Sequence, residues 1–151
     1  MIAGYLRYLK PDGSIFDVGC GEGALFQLMR GTGYAKYIGL DVSTVAIEKL
    51  TAQQYEMSHF ISADAESYAP TEELDAIVFG DSLYYFQDPL AVVERYSRFL
   101  KQNGMMVVSA YAGSARAMAI LRLIKGRYDV FEEIKITRRG QSSTVSVFIK
   151  A

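Results

Sequence analysis

Short apolar runs alternate along this chain with segments whose apolar positions recur every three or four residues. The apolar runs predict buried strands, and the segments between them predict helices with one apolar face. Alternation of this kind is typical of a parallel sheet covered by helices on both faces. The predicted parallel strands cover residues 14–18, 37–41, 59–63, 74–79 and 105–110.

Two later segments carry the clearest helical spacing. Apolar residues between positions 92 and 100 form one stripe, and Gly104 is placed to end that helix. A second stripe at positions 117–124 predicts a helix that closes near Gly126.

The rhythm changes in the last quarter of the chain. Residues 130–137 and 144–150 read as strands, joined by the polar, glycine-containing segment 138–142. A connection this short forces antiparallel pairing. The predicted fold is therefore α/β: a Rossmann-like, doubly wound, mostly parallel seven-stranded sheet with a C-terminal antiparallel hairpin, in a single domain over residues 1–151.

Composition and charge exclude several classes of function. The net charge is −1 and 50% of the residues are hydrophobic, so no excess of one sign predicts a nucleic-acid or membrane partner. Cys20 has no second cysteine to pair with and cannot build a thiolate metal site, so we predict no metal and a reducing, cytoplasmic setting.

Closely spaced glycines follow the first predicted strand. Gly19, Gly21 and Gly23 allow a sharp turn into a helix, which brings bare backbone and a helix N-terminus up to a ligand. Asp17, in an otherwise apolar strand, indicates a ligand with a cationic or donor-rich part, because a buried carboxylate needs partners. The turn predicts a nucleotide-like small molecule.

Acidic residues also follow the other predicted strands, at the edge where doubly wound sheets bind ligands. Asp41 ends the second strand at about the spacing of a carboxylate that takes both ribose hydroxyls. Asp64 and Ala65 follow the third strand, and Gly80 and Asp81 follow the fourth.

Taken in order, these segments resemble the motifs of class I S-adenosylmethionine-dependent methyltransferases of the small-molecule type. The resemblance lies in residues 16–23, 38–43, 61–65 and 74–83, within a stretch from residue 15 to about residue 110. A C-terminal hairpin is also typical of that family.

The resemblance implies S-adenosylmethionine as cofactor and S-adenosylhomocysteine as product. The glycine turn would pass the methionine and ribose, with Asp17 and the Gly80 backbone at the amino-acid end. Asp41 would bind the ribose, Val42 would pack on the adenine and Asp64 would accept from its amino group. The full set of implied cofactor residues is Asp17, Gly19, Cys20, Gly21, Gly23, Asp41, Val42, Asp64, Ala65 and Gly80.

The acceptor side departs from the family pattern. Many small-molecule members have Leu-Glu-His after the fourth strand, whereas this chain has Leu-Tyr-Tyr at 83–85, so no histidine base is predicted there. His59, the single histidine, is expected at the opposite edge of the sheet. No catalytic residue is assigned, and the candidates for acceptor contact are Asp81, Tyr84, Tyr85 and Tyr111.

Three functions stay open from the sequence. The first is methyl transfer to an O, N or C atom of a small molecule or of an exposed group on a larger metabolite. A non-catalytic cofactor-binding subunit is the second. The third is an NAD(P)-dependent oxidoreductase, since Gly19, Gly21 and Ala24 satisfy G-x-G-x-x-A. The chain begins close to its first strand, so we expect the acceptor side to be open or completed by another copy or a partner subunit.

Overall fold

The computed structural model of the protein describes residues 1–150. The predicted alternation of helices and strands is confirmed, and a short 3-10 helix, Leu83–Tyr85, follows the fourth strand. The helices are α1 (Ile2–Leu9), α2 (Ala24–Met29), α3 (Thr44–Thr51), α4 (Pro89–Ser97) and α5 (Ala115–Lys125), and the strands are β1 (Ser14–Val18), β2 (Lys36–Asp41), β3 (Ser58–Ser62), β4 (Leu74–Gly80), β5 (Leu100–Tyr111), β6 (Val130–Arg138) and β7 (Gln141–Ile149).

The seven strands form one sheet in the order β3-β2-β1-β4-β5-β7-β6. Strands β1 to β5 pair in parallel, and β7 pairs antiparallel with both β5 and β6. The chain runs outward from β1 in one direction and then returns to place β4 on the other side of β1. Ligands of doubly wound sheets bind where this reversal occurs, beyond the carboxyl ends of the strands.

Apolar side chains cover both faces of the sheet, as the predicted doubly wound fold requires. Helices α4 and α5 pack on one face, and α1, α2 and α3 pack on the other. On the first face the fully buried ring of Tyr96 stands edge-on to Phe16 and Phe79, with ring centroids 5.7 and 5.9 Å away. Such pairs add to the free energy of burial. The two cores fix the carboxyl ends of the parallel strands relative to one another, at the edge of the sheet where ligands bind in this fold.

The C-terminal hairpin turns more tightly than the sequence predicts. Its turn is Arg139-Gly140, and both residues have positive φ, 51° and 80°. Two left-handed central residues are the pattern of a two-residue hairpin turn that matches the twist of its strands. The predicted connection 138–142 is therefore mostly strand.

The prediction that Gly104 ends a helix is wrong. Helix α4 ends at Ser97, and Leu100 already pairs with Leu74 in the sheet. Gly104 lies within β5 beside an irregularity in the β4–β5 pairing, where a Cβ atom would stand 2.7 Å from the Lys101 carbonyl oxygen. The glycine is thus required by a tight bend in the strand.

One helix precedes the first strand, and the expectation that the acceptor side is open or completed by another subunit stays a prediction. Helix α1 packs on the sheet through Ala3 and Leu6, and its first residues line a cavity described below. No helix within residues 1–150 is long and apolar enough to cross a membrane.

Candidate active site

The glycine turn after β1 is shaped by a close contact with the segment after β4. Gly19 has a φ of 79°, and a Cβ atom there would stand 2.5 Å from the Cβ of Ser82. The Ser82 hydroxyl donates a 2.7 Å hydrogen bond to the Val18 carbonyl. A side chain at residue 19 would separate the carboxyl ends of β1 and β4, so only glycine lets them meet.

Gly21 has a different reason to be glycine. Its φ is 52°, yet a Cβ atom there would have no protein atom within 4 Å. Gly21 is also one of the residues that line a cavity described below. Gly23, by contrast, begins α2 with a φ of 82°, and its Cβ position is 2.8 Å from Leu50. Gly23 shapes the turn and lines neither of the cavities described here.

Asp41 ties the turn after β1 to the end of β2. The Gly21 N–H donates to Asp41 Oδ2 at 2.8 Å, and the Ser43 N–H donates to Oδ1 at 2.9 Å. An ionised carboxylate offers about four acceptor positions, so two remain for a ligand. Ser43 itself caps α3 by accepting from the Ala46 N–H. Asp41 therefore fixes the glycine turn and still has acceptor positions free for a ligand.

A first cavity of about 390 Å³ lies over these residues. The fold brings together here six of the ten predicted cofactor residues: Gly19, Gly21, Asp41, Val42, Asp64 and Ala65. Val42 is 75% exposed, which leaves an apolar surface beside the carboxylates. Asp81 and Tyr85, predicted on the acceptor side, line the same cavity.

The loop after β3 is held by its own carboxylates. Asp64 Oδ1 accepts from the Glu66 N–H at 2.9 Å. Glu66 in turn accepts from the backbone N–H groups of Gln87 and Asp88, each at 3.0 Å. The cavity is thus bounded by a loop that is fixed to the segment after the 3-10 helix.

A second cavity of about 330 Å³ adjoins the first, and both are lined by Gly19 and Asp81. It contains the other predicted residues at the amino-acid end, Asp17, Cys20 and Gly80. Apolar side chains from α1, α2 and the hairpin complete the lining; they include Ile2, Leu25, Leu28, Ile136 and Val145.

Asp17 is a buried carboxylate with one protein donor. It is 3% exposed, and the Tyr37 hydroxyl donates to Oδ2 at 2.6 Å. Burial raises the pKa of Asp17 from 3.8 to about 6, the Tyr37 bond opposes the rise, and the charge of Asp41 adds to it. A cation placed beside Asp17 would stabilise the ionised form.

Cys20 has no features of a nucleophile. Burial raises the pKa of its thiol far above the ordinary value, and the charges of Asp17 and Asp41 raise it further. Since the thiolate is the reactive form, this side chain acts as a small group that fits the turn.

Asp81 is held in an unusual backbone conformation at the end of β4. Its φ is 53°. The Asp81 N–H donates to the Ser109 hydroxyl at 2.9 Å, and that hydroxyl donates to Asp81 Oδ2 at 2.8 Å. The other carboxylate oxygen, Oδ1, is buried and has no hydrogen-bond partner.

The tyrosines divide into lining and packing side chains. Tyr85 is 77% exposed and lines the first cavity, and its ring centroid is 4.5 Å from that of Tyr84. Burial raises the pKa of Tyr84 to about 12, with further contributions from Tyr85 and Asp81. Tyr84 and Tyr111 line neither cavity, and the Tyr111 ring lies against Gly113. His59 lies near the start of β3, in a separate groove with Lys36 and Glu72.

The two cavities together have the chemistry of a site for an adenine nucleoside with a cationic end. Carboxylates offer acceptors for hydroxyl and amino donors, Val42 offers an apolar face, and the open position beside Gly21 would be filled by any side chain larger than hydrogen. The residues present therefore fit S-adenosylmethionine. Within residues 1–150 no group of His, Cys, Asp and Glu side chains is arranged to hold a metal ion.

Comparison with known proteins decides the family, because residues 2–142 match the sequence profile of a methyltransferase domain family. The chain belongs to the class I S-adenosylmethionine-dependent methyltransferases. The family resemblance inferred from the motifs is confirmed, and the dinucleotide alternative loses its support. S-adenosylmethionine is the cofactor of this family.

Among its relatives, the chain is 30% identical over 135 residues to a ubiquinone biosynthesis O-methyltransferase of Thiobacillus denitrificans, covering 80% of this chain and 58% of that protein. It is 25% identical over 112 residues to phosphoethanolamine N-methyltransferase 1 of Arabidopsis thaliana, covering 72% of this chain and 23% of the relative. The chain thus spans a little over half the length of the first relative and about a quarter of the second.

The methyltransferase fold is also seen in solved structures. The N-methyltransferase NodS from Bradyrhizobium japonicum, in complex with S-adenosylhomocysteine, superposes with a TM-score of 0.83. The alignment covers 99% of this chain and 84% of that protein, at 14% sequence identity. At that identity the likeness shows the fold alone.

Three residues that contribute to the site were not singled out from the sequence: Tyr37, Ser82 and Ser109. The sequence does contain a hint of the role of Ser109, because it is a polar residue in the apolar run that forms β5. Ser82 directly follows the predicted Asp81. Tyr37 carries no signal of its own, since its bond to Asp17 depends on the packing between β1 and β2.

Proposed function

We propose that the chain transfers a methyl group from S-adenosylmethionine to a small-molecule acceptor. One observation supports this most directly: two adjoining cavities share Gly19 and Asp81. The first is lined by the residues expected to bind ribose and adenine. The second combines carboxylates with an apolar lining and offers room for the methionine end and an acceptor.

The cofactor supplies an activated methyl group on a sulfonium, so the main task of the protein is alignment. We assign Asp41 to the ribose hydroxyls and Asp64 to the adenine amino group, with Val42 on the adenine face. Asp17 and the Gly80 backbone take the amino-acid end. The three carboxylate assignments each pair an acceptor on the protein with a donor on the cofactor.

A strong general base is not part of this proposal. The raised pKa of Tyr84 keeps its phenol protonated near neutral pH. His59 lies in another groove. The acceptor side consists of carboxylates and apolar groups, which position an acceptor more readily than they remove a proton from an alcohol.

Isothermal titration calorimetry tests the proposal. S-adenosylmethionine and S-adenosylhomocysteine should each bind with a stoichiometry near one, whereas NAD and NADP should not bind. Transfer of a labelled methyl group to an acceptor would then establish turnover. Tight binding of a dinucleotide, or no binding of either S-adenosyl compound, would refute the assignment.

Asp41 offers the sharpest variant for the same titration. Asp41→Ala should weaken S-adenosylhomocysteine binding by roughly 1.5–3 kcal/mol for each charge-assisted hydrogen bond it loses. Asp41→Asn should have a smaller effect, because its amide oxygen still accepts one bond. Circular dichroism serves as the fold control, since Asp41 also accepts from Gly21 and Ser43. An unchanged dissociation constant would remove Asp41 from the ribose site.

The setting of the reaction stays a prediction. The near-neutral charge supports a small-molecule acceptor over a nucleic acid, and the lone cysteine supports a reducing, cytoplasmic compartment. A second copy or a partner subunit that completes the acceptor side stays part of this prediction.

A further inference from the structure

We propose that the methyl acceptor is an amine carried on an apolar body and that the Asp81 carboxylate recognises its N–H groups. This inference rests on the proposed function and deepens it, because it names the class of acceptor. It is carried by the position, unused acceptor capacity and surroundings of Asp81.

Asp81 lies where an acceptor and the cofactor must meet. It lines both cavities and directly follows β4. Its φ of 53° is a left-handed conformation that aspartate and asparagine adopt more readily than most residues. Two hydrogen bonds with the Ser109 hydroxyl fix the backbone and one carboxylate oxygen in place.

The Asp81 carboxylate is incompletely satisfied by the protein. Of its two oxygens, Oδ2 accepts from Ser109 and Oδ1 is buried without a partner. Because Oδ1 has almost no accessible surface, a donor reaches it only with a small rotation of the Asp81 side chain, and the free energy of the missing hydrogen bond favours that contact. Because an ionised carboxylate only accepts, the group that completes it must be a donor, as an amine or ammonium is.

The charge around Asp81 favours the same class of ligand. Among the described residues, the lining of the second cavity includes Asp17 and Asp81 but no lysine, arginine or histidine. The first cavity adds Asp41, Asp64 and Glu66, again with no basic side chain in its lining. Apart from the α-amino group of Met1, a lining residue of the second cavity, the charged groups here are carboxylates, which repel a carboxylate or phosphate acceptor and attract a cationic or N–H-rich group.

The remainder of the second cavity indicates an apolar body behind the amine. Ile2, Leu25, Leu28, Ile136 and Val145 line it, and Leu28 is 58% exposed in the protein alone. Burying these side chains against an aliphatic or aromatic group would be favourable at about 25 cal/mol per Å² of apolar surface. A fully polar amine would leave this contact unused.

The buried carboxylate of Asp17 and the half-buried carboxylate of Asp81 can serve different amines. Asp17 already accepts from Tyr37, and it lines the second cavity but not the first. This position suits the amino group of the cofactor. Asp81 lies at the boundary between the cavities. An ammonium drawn to these carboxylates must first release one proton to solvent, and the resulting neutral amine can donate an N–H to Asp81 while its lone pair is free for the methyl carbon. Its nitrogen then forms the new N–C bond, the electron pair of the broken C–S bond stays on sulfur, and one N–H proton is lost to solvent.

Ligand titration on the complex with S-adenosylhomocysteine tests this inference. The probes are matched sets: 2-phenylethylamine, 2-phenylethanol and phenylacetate, and hexylamine, hexanol and hexanoate. Saturation-transfer NMR and calorimetry should show at least one amine binding about tenfold or more tightly than its alcohol and carboxylate partners. Equal or tighter binding of the alcohols or carboxylates, or no binding by either amine, would overturn the inference.

Asp81→Asn identifies the residue responsible. Asparagine keeps the size and the tolerance of left-handed φ but removes the negative charge. It should weaken amine binding by about tenfold or more and change S-adenosylhomocysteine affinity by less than about threefold. Asp129→Asn is the matched control, because Asp129 is exposed and lines neither cavity.

Two results separate this inference from the proposed function. If Asp81→Asn lowers S-adenosylhomocysteine affinity by about tenfold and leaves amine binding unchanged, Asp81 holds the cofactor and the inference fails alone. If the unaltered protein does not bind S-adenosylhomocysteine at all, the proposed function fails first.

Discussion

At the scale of single residues, the site is dominated by carboxylates that carry out two tasks at once. Asp41 fixes the glycine turn and keeps free acceptor positions, and Asp81 is held by Ser109 while one of its oxygens has no partner. Asp17 is the most deeply buried of them. Its ionised form is disfavoured in the cofactor-free protein, so the site has unfavourable electrostatics that a cationic ligand would relieve.

The raised pKa of Asp17 predicts a pH-dependent stability difference for Asp17→Asn. Below pH 3.8 the carboxyl is protonated in both the folded and the unfolded protein, whereas between pH 3.8 and about 6 the folded protein binds the extra proton. The stabilising contribution of protonated Asp17 is therefore lost as the pH rises through about 6. Asparagine stays neutral and can still accept from Tyr37.

Urea unfolding at pH 4 and pH 8 measures this effect. Asp17→Asn should be more stable than the unaltered protein at pH 8, by up to about 3 kcal/mol, with a much smaller difference at pH 4. Asp129→Asn, the same change at an exposed position, should show no such pH-dependent gain. A variant that is less stable at pH 8 would contradict the assigned pKa.

The absence of a required general base predicts mild effects for two further variants. His59→Ala and Tyr85→Phe should each keep substantial methyl transfer, because alignment accounts for most of the rate. Steady-state kinetics with an identified acceptor gives the test. General-base catalysis contributes about 10²–10⁴-fold, so a loss of that size with cofactor affinity intact would assign a base role to the residue changed.

At the scale of elements, the turn between β1 and α2 shows that neighbouring glycines have separate physical reasons. Gly19 permits contact with Ser82, Gly23 permits contact with Leu50, and Gly21 leaves space open toward the first cavity. Substitution at the first two positions disturbs packing between elements. Substitution at Gly21 affects the space where the ligand would lie.

Gly21→Ala and Gly31→Ala form a matched pair that separates strain from ligand blocking. Both glycines have positive φ, 52° and 72°, and at both a Cβ atom would meet nothing within 4 Å. Each change should lower stability by a similar amount, about 1–2 kcal/mol, from the left-handed conformation. Only Gly21→Ala should weaken S-adenosylhomocysteine binding, by about tenfold or more, as measured by calorimetry.

Gly21→Val, with a larger branched side chain, should abolish binding. Equal cofactor affinity in Gly21→Ala and Gly31→Ala would show that the open space beside Gly21 is not occupied by the cofactor.

At the scale of the whole molecule, the cofactor would connect parts of the chain that are distant in sequence. The two cavities are lined by residues from the turn after β1, the ends of β2, β3 and β4, helices α1 and α2, and the C-terminal hairpin. A ligand that contacts all of these binds only the folded protein. Binding should therefore stabilise the chain as a unit.

A thermal shift experiment measures this coupling. S-adenosylhomocysteine at 100 times its dissociation constant should add about 2.7 kcal/mol, which corresponds to roughly 5–10 °C in melting temperature for a domain of this size. The same concentration of NAD should cause no shift, and Gly21→Ala should lose most of the shift. A constant melting temperature across a hundredfold range of S-adenosylhomocysteine would contradict binding in these cavities.

The sequence by itself determined the sheet, most of its strands and the cofactor motifs, because these depend on local periodicity and on glycines next to strand ends. It misplaced the end of α4, where pairing of Leu100 with Leu74 overrides an apolar stripe that reads as helix. Tertiary structure alone decided that Tyr37 reaches Asp17, that Ser109 holds Asp81, and that α1 and β6 line the second cavity. These contacts join residues far apart in the chain, and their geometry follows from strand order, register and packing, which no local pattern specifies.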